Sequence, residues 1–104
     1  MELIRSIQVL QQFLSAKREQ NQSCGFVPTM GALHQGHVSL IQQAKIQADF
    51  CLVSIFVNPT QFNESSDFKN YPRQEKKDLE MLWEANVDAV FIPPTDEMLS
   101  LIHI

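Results

Sequence analysis

The middle of the chain reads FCLVSIFV over residues 50–57, and seven of these eight residues are apolar. A strand with one face in water alternates apolar and polar residues, so this stretch predicts a strand that is covered on both faces. Helices on both faces of a parallel sheet supply that kind of cover. The stretch therefore favours an α/β fold.

The sequence on either side of this stretch predicts two more strands, each ended by proline. One is Cys24-Gly25-Phe26-Val27, a short apolar run closed by Pro28, which lacks an amide donor and suits the end of a buried strand. The other is Asp88-Ala89-Val90-Phe91-Ile92, which Pro93 and Pro94 cut off. We therefore expect three strands.

Three further segments have the spacing of apolar residues that is typical of amphipathic helices. They are predicted from residue 1 to about residue 20, from the glycine loop to about residue 49, and from beyond Pro72 to Asn86. Their apolar faces are marked by Leu3, Ile7, Leu10 and Leu14, by Val38, Ile41, Ala44 and Ala48, and by Leu79, Leu82 and Trp83. On the third helix the solvent-facing residues are expected to be Glu75, Asp78, Glu80 and Glu84.

The order helix, strand, helix, strand, helix, strand produces parallel strands joined by right-handed crossovers. The prediction is an α/β fold, a Rossmann-like doubly wound parallel sheet with about three strands and three helices. In such sheets a ligand binds beyond the carboxyl ends of the strands, where the strand order reverses. Because three strands supply one side of that reversal, we expect residues 1–98 to be a partial nucleotide-binding domain, the N-terminal half of a larger fold.

Composition and charge exclude several classes of protein. A chain of 104 residues with 44% hydrophobic and 19% charged side chains fits one domain. Twelve acidic against eight basic residues give a net charge of −4, which argues against nucleic-acid binding. No apolar run approaches the ~20 residues that span a bilayer, and no signal-peptide core is present, so a cytoplasmic protein without membrane contact is expected. Cys24 and Cys51 are expected to be buried, reduced thiols.

The loop from Thr29 to His37 joins the first predicted strand to the second predicted helix. A helix start presents unpaired amide donors and partial positive charge, and Gly36 has no side chain that would keep a phosphate away. His34 and His37 can point imidazole donors at the same phosphate oxygens, where negative charge grows as the α-phosphorus of a nucleotide is attacked. The loop therefore predicts an anion site in which both histidines act as catalytic donors.

Two other interpretations of the histidine pair remain open at this point. The pair could be ordinary surface polarity, since two histidines at this spacing are weak evidence by themselves. A zinc site would need three or four ligands. The remaining candidates for zinc, Cys24, Cys51 and His103, lie in strand interiors or at the terminus, so a zinc site is the weaker alternative.

A second polar segment, residues 58–62, follows the predicted strand at residues 50–57. Pro59 holds Asn58 extended, and Gln61 would project an amide with two donors and one acceptor into the crevice. This group suits a small molecule with hydroxyl and carboxylate groups. The alternative is that Asn58-Pro59 is simply a turn, as the segment beginning at Tyr71 could be an ordinary helix start.

Three segments taken together closely resemble the pantoate–β-alanine ligases, also called pantothenate synthetases: residues 28–37, 56–62 and 71–73. They occur in that family's order and spacing, and the likeness extends from the first helix to about Met98. The wider group is the nucleotidyltransferases with a His-x-Gly-His loop. Another adenylyl- or cytidylyltransferase and a non-catalytic nucleotide-binding module are the alternative functions.

The resemblance implies an ATP- and Mg²⁺-dependent ligase of pantothenate biosynthesis that acts on small molecules and is a homodimer when full length. Pantoate and ATP would give pantoyl adenylate and pyrophosphate, and β-alanine would then displace AMP. By the resemblance, the positions that bind ATP are Met30, Gly31, His34, Gly36 and His37. Those that bind pantoate are Met30, Asn58, Gln61 and Tyr71, and no metal ligand is carried over.

The chain departs from the family's pattern in two ways. Family members have neighbouring acidic residues after the tyrosine-proline-arginine segment that serve the nucleotide and its metal, whereas here Lys77 stands in one such place and Asp78 remains. The family's later strands and second domain are absent, so we expect a fragment that is inactive alone. Residues 99–104 resemble the translation of a sequencing adapter and are expected to be an artefact, the alternative being a short apolar tail that packs.

Overall fold

A computed structural model describes residues 1–56 and 71–94 of the chain. Within these residues the order of elements is β1 (Glu2–Ile4), α1 (Ile7–Glu19), β2 (Cys24–Thr29), α2 (Gln35–Gln47), β3 (Phe50–Ile55), α3 (Tyr71–Glu84) and β4 (Ala89–Phe91). The four strands form one parallel sheet in the order β1-β4-β3-β2. The predicted α/β fold with a parallel sheet is confirmed. None of the helices in these two ranges has the length and apolar character needed to cross a membrane.

Helices cover both faces of the sheet, as the apolar stretch at residues 50–57 predicts. On one face α2 and α3 pack against the sheet, and Ile41, Val53 and Leu82 are completely buried there. On the other face α1 packs against β3 and β4, with the ring of Phe13 edge-on to that of Phe50 at a centroid distance of 5.7 Å. Because β3 lies between the two layers, five of its six residues are buried, and the half-buried exception is Ser54.

The first three-residue strand was not expected from the sequence, which predicted a helix from residue 1. Instead, β1 pairs with β4 in parallel, and the Ile4 side chain is 3% exposed beneath α1. Helix α1 begins only after Ser6, whose hydroxyl accepts a hydrogen bond from the Val9 N–H at 3.1 Å. A serine cap of this kind marks a helix start, so the prediction placed the start about six residues too early.

One face of β2 is left uncovered among the described residues, because β2 lies at an edge of the sheet. Successive side chains of a strand point to opposite faces. Val27 is therefore buried beneath α2, whereas Cys24 and Phe26 point the other way and are exposed. Both cysteines are free thiols, but the prediction of burial is right only for Cys51 and wrong for Cys24.

The buried face of α3 differs from the predicted one at two residues. Asp78, expected in solvent, is 2% exposed, and Trp83, expected in the core, is 65% exposed. Asp78 lies one helical turn before the buried Leu82, so both side chains point to the same face, whereas Trp83 is rotated by about 100° from Leu82. The helix ends near Asn86, as predicted, and this residue has a left-handed backbone with φ 60°.

Candidate active site

The loop at residues 30–34 connects the carboxyl end of β2 to the first turn of α2. Gly31 and Ala32 both have left-handed backbones, with φ 89° and 53°. Thr29 fixes the start of the loop, since its hydroxyl donates to the Ser54 carbonyl at 2.9 Å and accepts the Gly31 N–H at 3.3 Å. The loop thus lies at the carboxyl ends of two parallel strands, where ligands of such sheets bind.

His34 and His37 form a reciprocal cap at the start of α2. The Nδ1 of His34 accepts a hydrogen bond from the Gly36 N–H at 3.0 Å. The Nδ1 of His37 accepts one from the backbone N–H of His34 at 3.1 Å. The centroids of the two rings are 4.2 Å apart, and their planes are inclined by 52°. The structure therefore brings the two predicted donors together.

This cap determines which nitrogen of each imidazole carries the proton. A ring nitrogen that accepts a hydrogen bond carries no hydrogen, so the hydrogen-bond network assigns the proton of each neutral ring to Nε2. In the part of the chain that the structure describes, neither Nε2 atom has a hydrogen-bond partner. Each histidine therefore has one N–H donor available for a ligand.

The electrostatic surroundings of the histidines suit an anion. His34 and Gly36 are exposed, and His37 is half-buried. The N-terminus of a helix carries partial positive charge, and the first turn of α2 contains no acidic residue that would oppose it. Two neutral N–H donors at such a position can bind phosphate oxygens without a charged side chain.

A buried carboxylate from α3 contacts the loop directly before the histidines. Asp78 Oδ2 accepts the Ala32 N–H at 3.0 Å, and Oδ1 accepts the Leu33 N–H at 2.9 Å. The Nε2 of Gln74 also donates to Oδ1, at 3.1 Å. The sequence analysis missed this contact; the available signal was the four-residue spacing of Asp78 from the apolar Leu82.

The described residues do not provide a site for the Mg²⁺ that the family resemblance implies. Residues 1–56 and 71–94 contain no group of three or more histidine, cysteine or acidic side chains that could hold a metal ion. Both oxygens of Asp78 and the Nδ1 atoms of His34 and His37 are already hydrogen-bonded to N–H donors. We therefore derive no step through a metal.

The remaining site residues predicted from the sequence are placed only in part. Met30, which is 69% exposed, and Gly31 lie in the loop before the histidines, and Gly36 lies against the His34 ring. Asn58 and Gln61 lie outside the described residues, as do residues 63–70 and 99–104. Tyr71 is the first residue of α3, and its side chain also lies outside the description.

An apolar groove of about 500 Å³ lies on the opposite face of the sheet from α2. It runs between α1 and the uncovered face of β2, where Leu10, Phe26 and Phe56 are among the lining residues. The lining includes no histidine and no carboxylate. Because the groove lies away from the histidine pair and its loop, we place the candidate site at the start of α2.

The chain is similar to known proteins of the pantoate-beta-alanine ligase family. The family model described as Pantoate-beta-alanine ligase matches residues 2–104. The pantothenate synthetase of Cytophaga hutchinsonii is 51% identical over 94 residues, which cover 90% of this chain and 33% of that protein. That of Aquifex aeolicus is 51% identical over 96 residues, which cover 92% of this chain and 34% of that protein. The chain thus spans about a third of the length of these relatives.

A solved structure shows the same architecture. The pantoate-beta-alanine ligase of Francisella tularensis, crystallised with beta-gamma ATP and beta-alanine, superposes with a TM-score of 0.73 at 44% sequence identity. The match covers 96% of this chain and 38% of that one. The parallel sheet and its helices therefore correspond to one part of a larger known structure.

Proposed function

The chain belongs to the pantoate–β-alanine ligase family, and we propose that it forms the N-terminal, ATP- and pantoate-binding part of such an enzyme. The main support is the reciprocal cap of His34 and His37, which leaves two imidazole N–H donors at a helix N-terminus. A nucleotide's phosphates bind at such positions. The relative from Francisella tularensis, crystallised with beta-gamma ATP and beta-alanine, supports the same class of substrates.

The proposed reaction has two steps. A carboxylate oxygen of pantoate attacks the α-phosphorus of ATP, giving pantoyl adenylate, and pyrophosphate leaves. The amine of β-alanine then attacks the carbonyl carbon of the adenylate, AMP leaves, and the amide of pantothenate forms. In the first step negative charge grows on the phosphate oxygens, so hydrogen bonds from His34 and His37 that strengthen in the transition state lower the barrier.

The other site residues are assigned on the same basis. We propose that Met30, Gly31 and Gly36 contact ATP, the role that the family resemblance gives to these positions. Pantoate would contact Met30, Asn58, Gln61 and Tyr71, the positions to which the family resemblance assigns this role. The exposure of Met30 at the carboxyl end of β2 is compatible with contact to either substrate.

The reaction is assigned to the complete protein that carries this segment. Positioning two substrates requires groups on both sides of the crevice, and the described sheet ends at β2 on the side of the histidine loop. We therefore expect the 104-residue chain to bind nucleotide weakly and to show little or no turnover. The complete protein is expected to be a cytoplasmic homodimer.

Product release by the complete protein tests the proposed function. Pyrophosphate should be released only when ATP and pantoate are both present, and AMP only when β-alanine is added as well. Release with another acceptor in place of pantoate would indicate a different nucleotidyltransferase. Calorimetric binding of ATP without any release would indicate a non-catalytic binding module. Either result would refute the proposed reaction.

A substitution of Gln61 separates the two substrates. Gln61→Ala removes the side-chain amide and should raise the KM for pantoate and leave ATP binding nearly unchanged, since the proposal places Gln61 at pantoate. Initial rates at varied pantoate and varied ATP measure the two effects. An effect confined to ATP would move this residue to the nucleotide side of the site.

A further inference from the structure

We propose that Asp78 is a positioning residue for the His34–His37 pair, which it orients through the loop at residues 30–34. The inference rests on the proposed function. The Asp78 side chain is 2% exposed, and its two oxygens accept hydrogen bonds from consecutive backbone N–H groups of this loop, at 3.0 and 2.9 Å. The donors, Ala32 and Leu33, are 46 and 45 residues away in sequence.

The backbone conformation of the loop explains why a carboxylate fits there. Gly31 and Ala32 both have positive φ angles. Successive N–H groups in such a turn point to the same side and form a concave anion-binding site. In this chain the concavity is filled by the carboxylate of Asp78 itself. The loop therefore does not offer this site to substrate, whereas the start of α2 offers a phosphate the two imidazole N–H donors.

The loop that Asp78 holds leads directly into the histidine cap. Two contacts hold Leu33 in place. Its backbone N–H donates to Asp78, and its side chain, which is only 8% exposed, packs in the same core cluster as Ile41. The next residue is His34, whose backbone N–H donates to Nδ1 of His37. Asp78 thus fixes the direction of the peptide that orients the His37 ring.

The same contacts argue against direct binding of a metal or phosphate by Asp78. Oδ2 accepts one N–H group, and Oδ1 accepts two, from Leu33 and from Gln74. A buried carboxylate is stable only when its hydrogen bonds are made. A ligand could reach these oxygens only by breaking the loop that places the histidines.

Asp78→Asn in the complete protein tests this role. Asparagine keeps one accepting oxygen and replaces the other by an NH₂ group, so one of the two loop N–H groups loses its acceptor. We expect kcat for pyrophosphate release to fall about 10²-fold, the loss that a displacement of about 1 Å can cause. The KM for pantoate should change less than threefold, and the Mg²⁺ concentration that gives half the maximal rate should stay the same.

NMR of the complete protein with ¹⁵N-labelled histidine gives a second readout that needs no turnover. In the wild type, His34 and His37 should both show the Nε2–H tautomer with an accepting Nδ1. Asp78→Asn should alter both sets of ring signals, because the loop before the cap has moved. A carboxylate that only stabilised the fold would lower the melting temperature and leave these signals unchanged.

Asp88→Asn is the matched control. Oδ2 of Asp88 also accepts a backbone N–H, that of Cys51 at 2.7 Å, at the amino ends of β3 and β4 and thus at the opposite end of the sheet from the loop. This variant should lose stability but keep the wild-type kcat and histidine signals. An equal loss of kcat in both variants would show that any lost carboxylate lowers activity, and would refute a specific role for Asp78.

Several outcomes would overturn the proposal. Restoration of the rate by excess Mg²⁺, or a shifted Mg²⁺ midpoint, would make Asp78 a metal ligand. Unchanged kcat together with unchanged histidine signals would remove the positioning role. If Asp78→Asn does not fold, Gln74→Ala removes only the third donor to the carboxylate, and it should lower kcat several-fold and shift the same signals; no change in either would also refute the proposal.

The two proposals fail in different ways. If the wild-type protein releases no pyrophosphate with pantoate, the proposed function is wrong. The histidine signals of Asp78→Asn then still decide whether this carboxylate orients the pair.

Discussion

Gly36 lies directly against the ring of His34. A β-carbon at residue 36 would stand 2.8 Å from Cε1 and 3.0 Å from Nδ1 of that ring. The same Nδ1 accepts the Gly36 N–H at 3.0 Å. The missing side chain at residue 36 therefore lets the imidazole fold back over the first turn of α2, so the residue type at this position controls the orientation of a proposed catalytic group.

Gly36→Ala should therefore impair catalysis more than stability. The new methyl group would push the His34 ring aside, which a side chain can accommodate by rotation, and alanine in a helix is about 1 kcal/mol better than glycine. The displaced ring no longer accepts the N–H of residue 36, so the helix loses this cap, and the N–H donor of the ring points elsewhere. We expect pyrophosphate release by the complete protein to fall about 10²-fold, as for loss of a transition-state donor. The melting temperature should change little, because the loss of the cap offsets the gain from alanine.

Gly25→Ala is the matched control for that substitution. A β-carbon at Gly25 would lie 2.8 Å from Cβ and 3.0 Å from the carbonyl oxygen of Ala44, on α2. Since part of this obstacle is backbone, it cannot rotate away, and overpacking of this kind costs about 1–3 kcal/mol. Gly25→Ala should lower the melting temperature and retain the rate per folded molecule. The reverse pattern in the two variants would contradict the assignment of the site.

Replacement of either histidine should have a large and non-additive effect. Loss of one donor to a developing oxyanion costs about 10²–10³ in rate. Because the His34 ring lies against that of His37, at a centroid distance of 4.2 Å, His34→Ala also removes a side chain that positions the His37 ring. The double variant should therefore be slowed by less than the product of the two single effects. Rates of pyrophosphate release measure this, with the exposed Gln43 of α2 replaced by alanine as a control. A loss of less than threefold would assign the pair to packing.

The parts of the fold that the sequence predicted depend on local patterns. Because nearly every residue of 50–57 is apolar, a strand there must be covered on both faces, and this holds for any arrangement of the rest of the chain. The histidine loop was likewise recognisable because a strand, two glycines and a helix start follow one another within about twelve residues. Both features are set by neighbouring residues, and the structure has β3 buried and His34 and His37 in contact.

The features that the sequence did not predict depend on distant residues. Strand β1 has three residues, too few to show a period, and it exists through pairing of Ile4 with Phe91. The role of Asp78 depends on a loop 46 residues away. Since that contact cannot be read from neighbouring residues, the charge of Asp78 alone indicated a solvent-exposed position. Cys24 lies in an apolar stretch of sequence, which indicated burial. Its side chain is exposed, because its face of β2 has no neighbouring layer in the described residues.

Cys51 should limit stability at alkaline pH. Its side chain is completely buried, and this burial, followed by the nearby carboxylate of Asp88, raises the pKa of the thiol to about 11. In the unfolded chain a thiol titrates near a pKa of about 8.5. Between these values the unfolded state has already lost the proton that the folded state keeps, so the free energy of unfolding falls as pH rises. The contribution of the protonated Cys51 thiol to the free energy of unfolding is complete below about pH 8.5 and is lost as pH approaches 11.

Cys51→Ala removes this titration and provides the measurement. Urea unfolding followed by circular dichroism should show a steeper fall of stability between about pH 8 and pH 10.5 in the wild type than in the variant. At 1.36 kcal/mol per pKa unit, the two free energies of unfolding should diverge by up to about 3 kcal/mol. Cys24→Ala should retain most of the wild-type slope, since Cys24 raises the pKa of Cys51 less than burial and Asp88 do. Parallel pH profiles for the wild type and Cys51→Ala would show that the buried thiol does not set the alkaline limit.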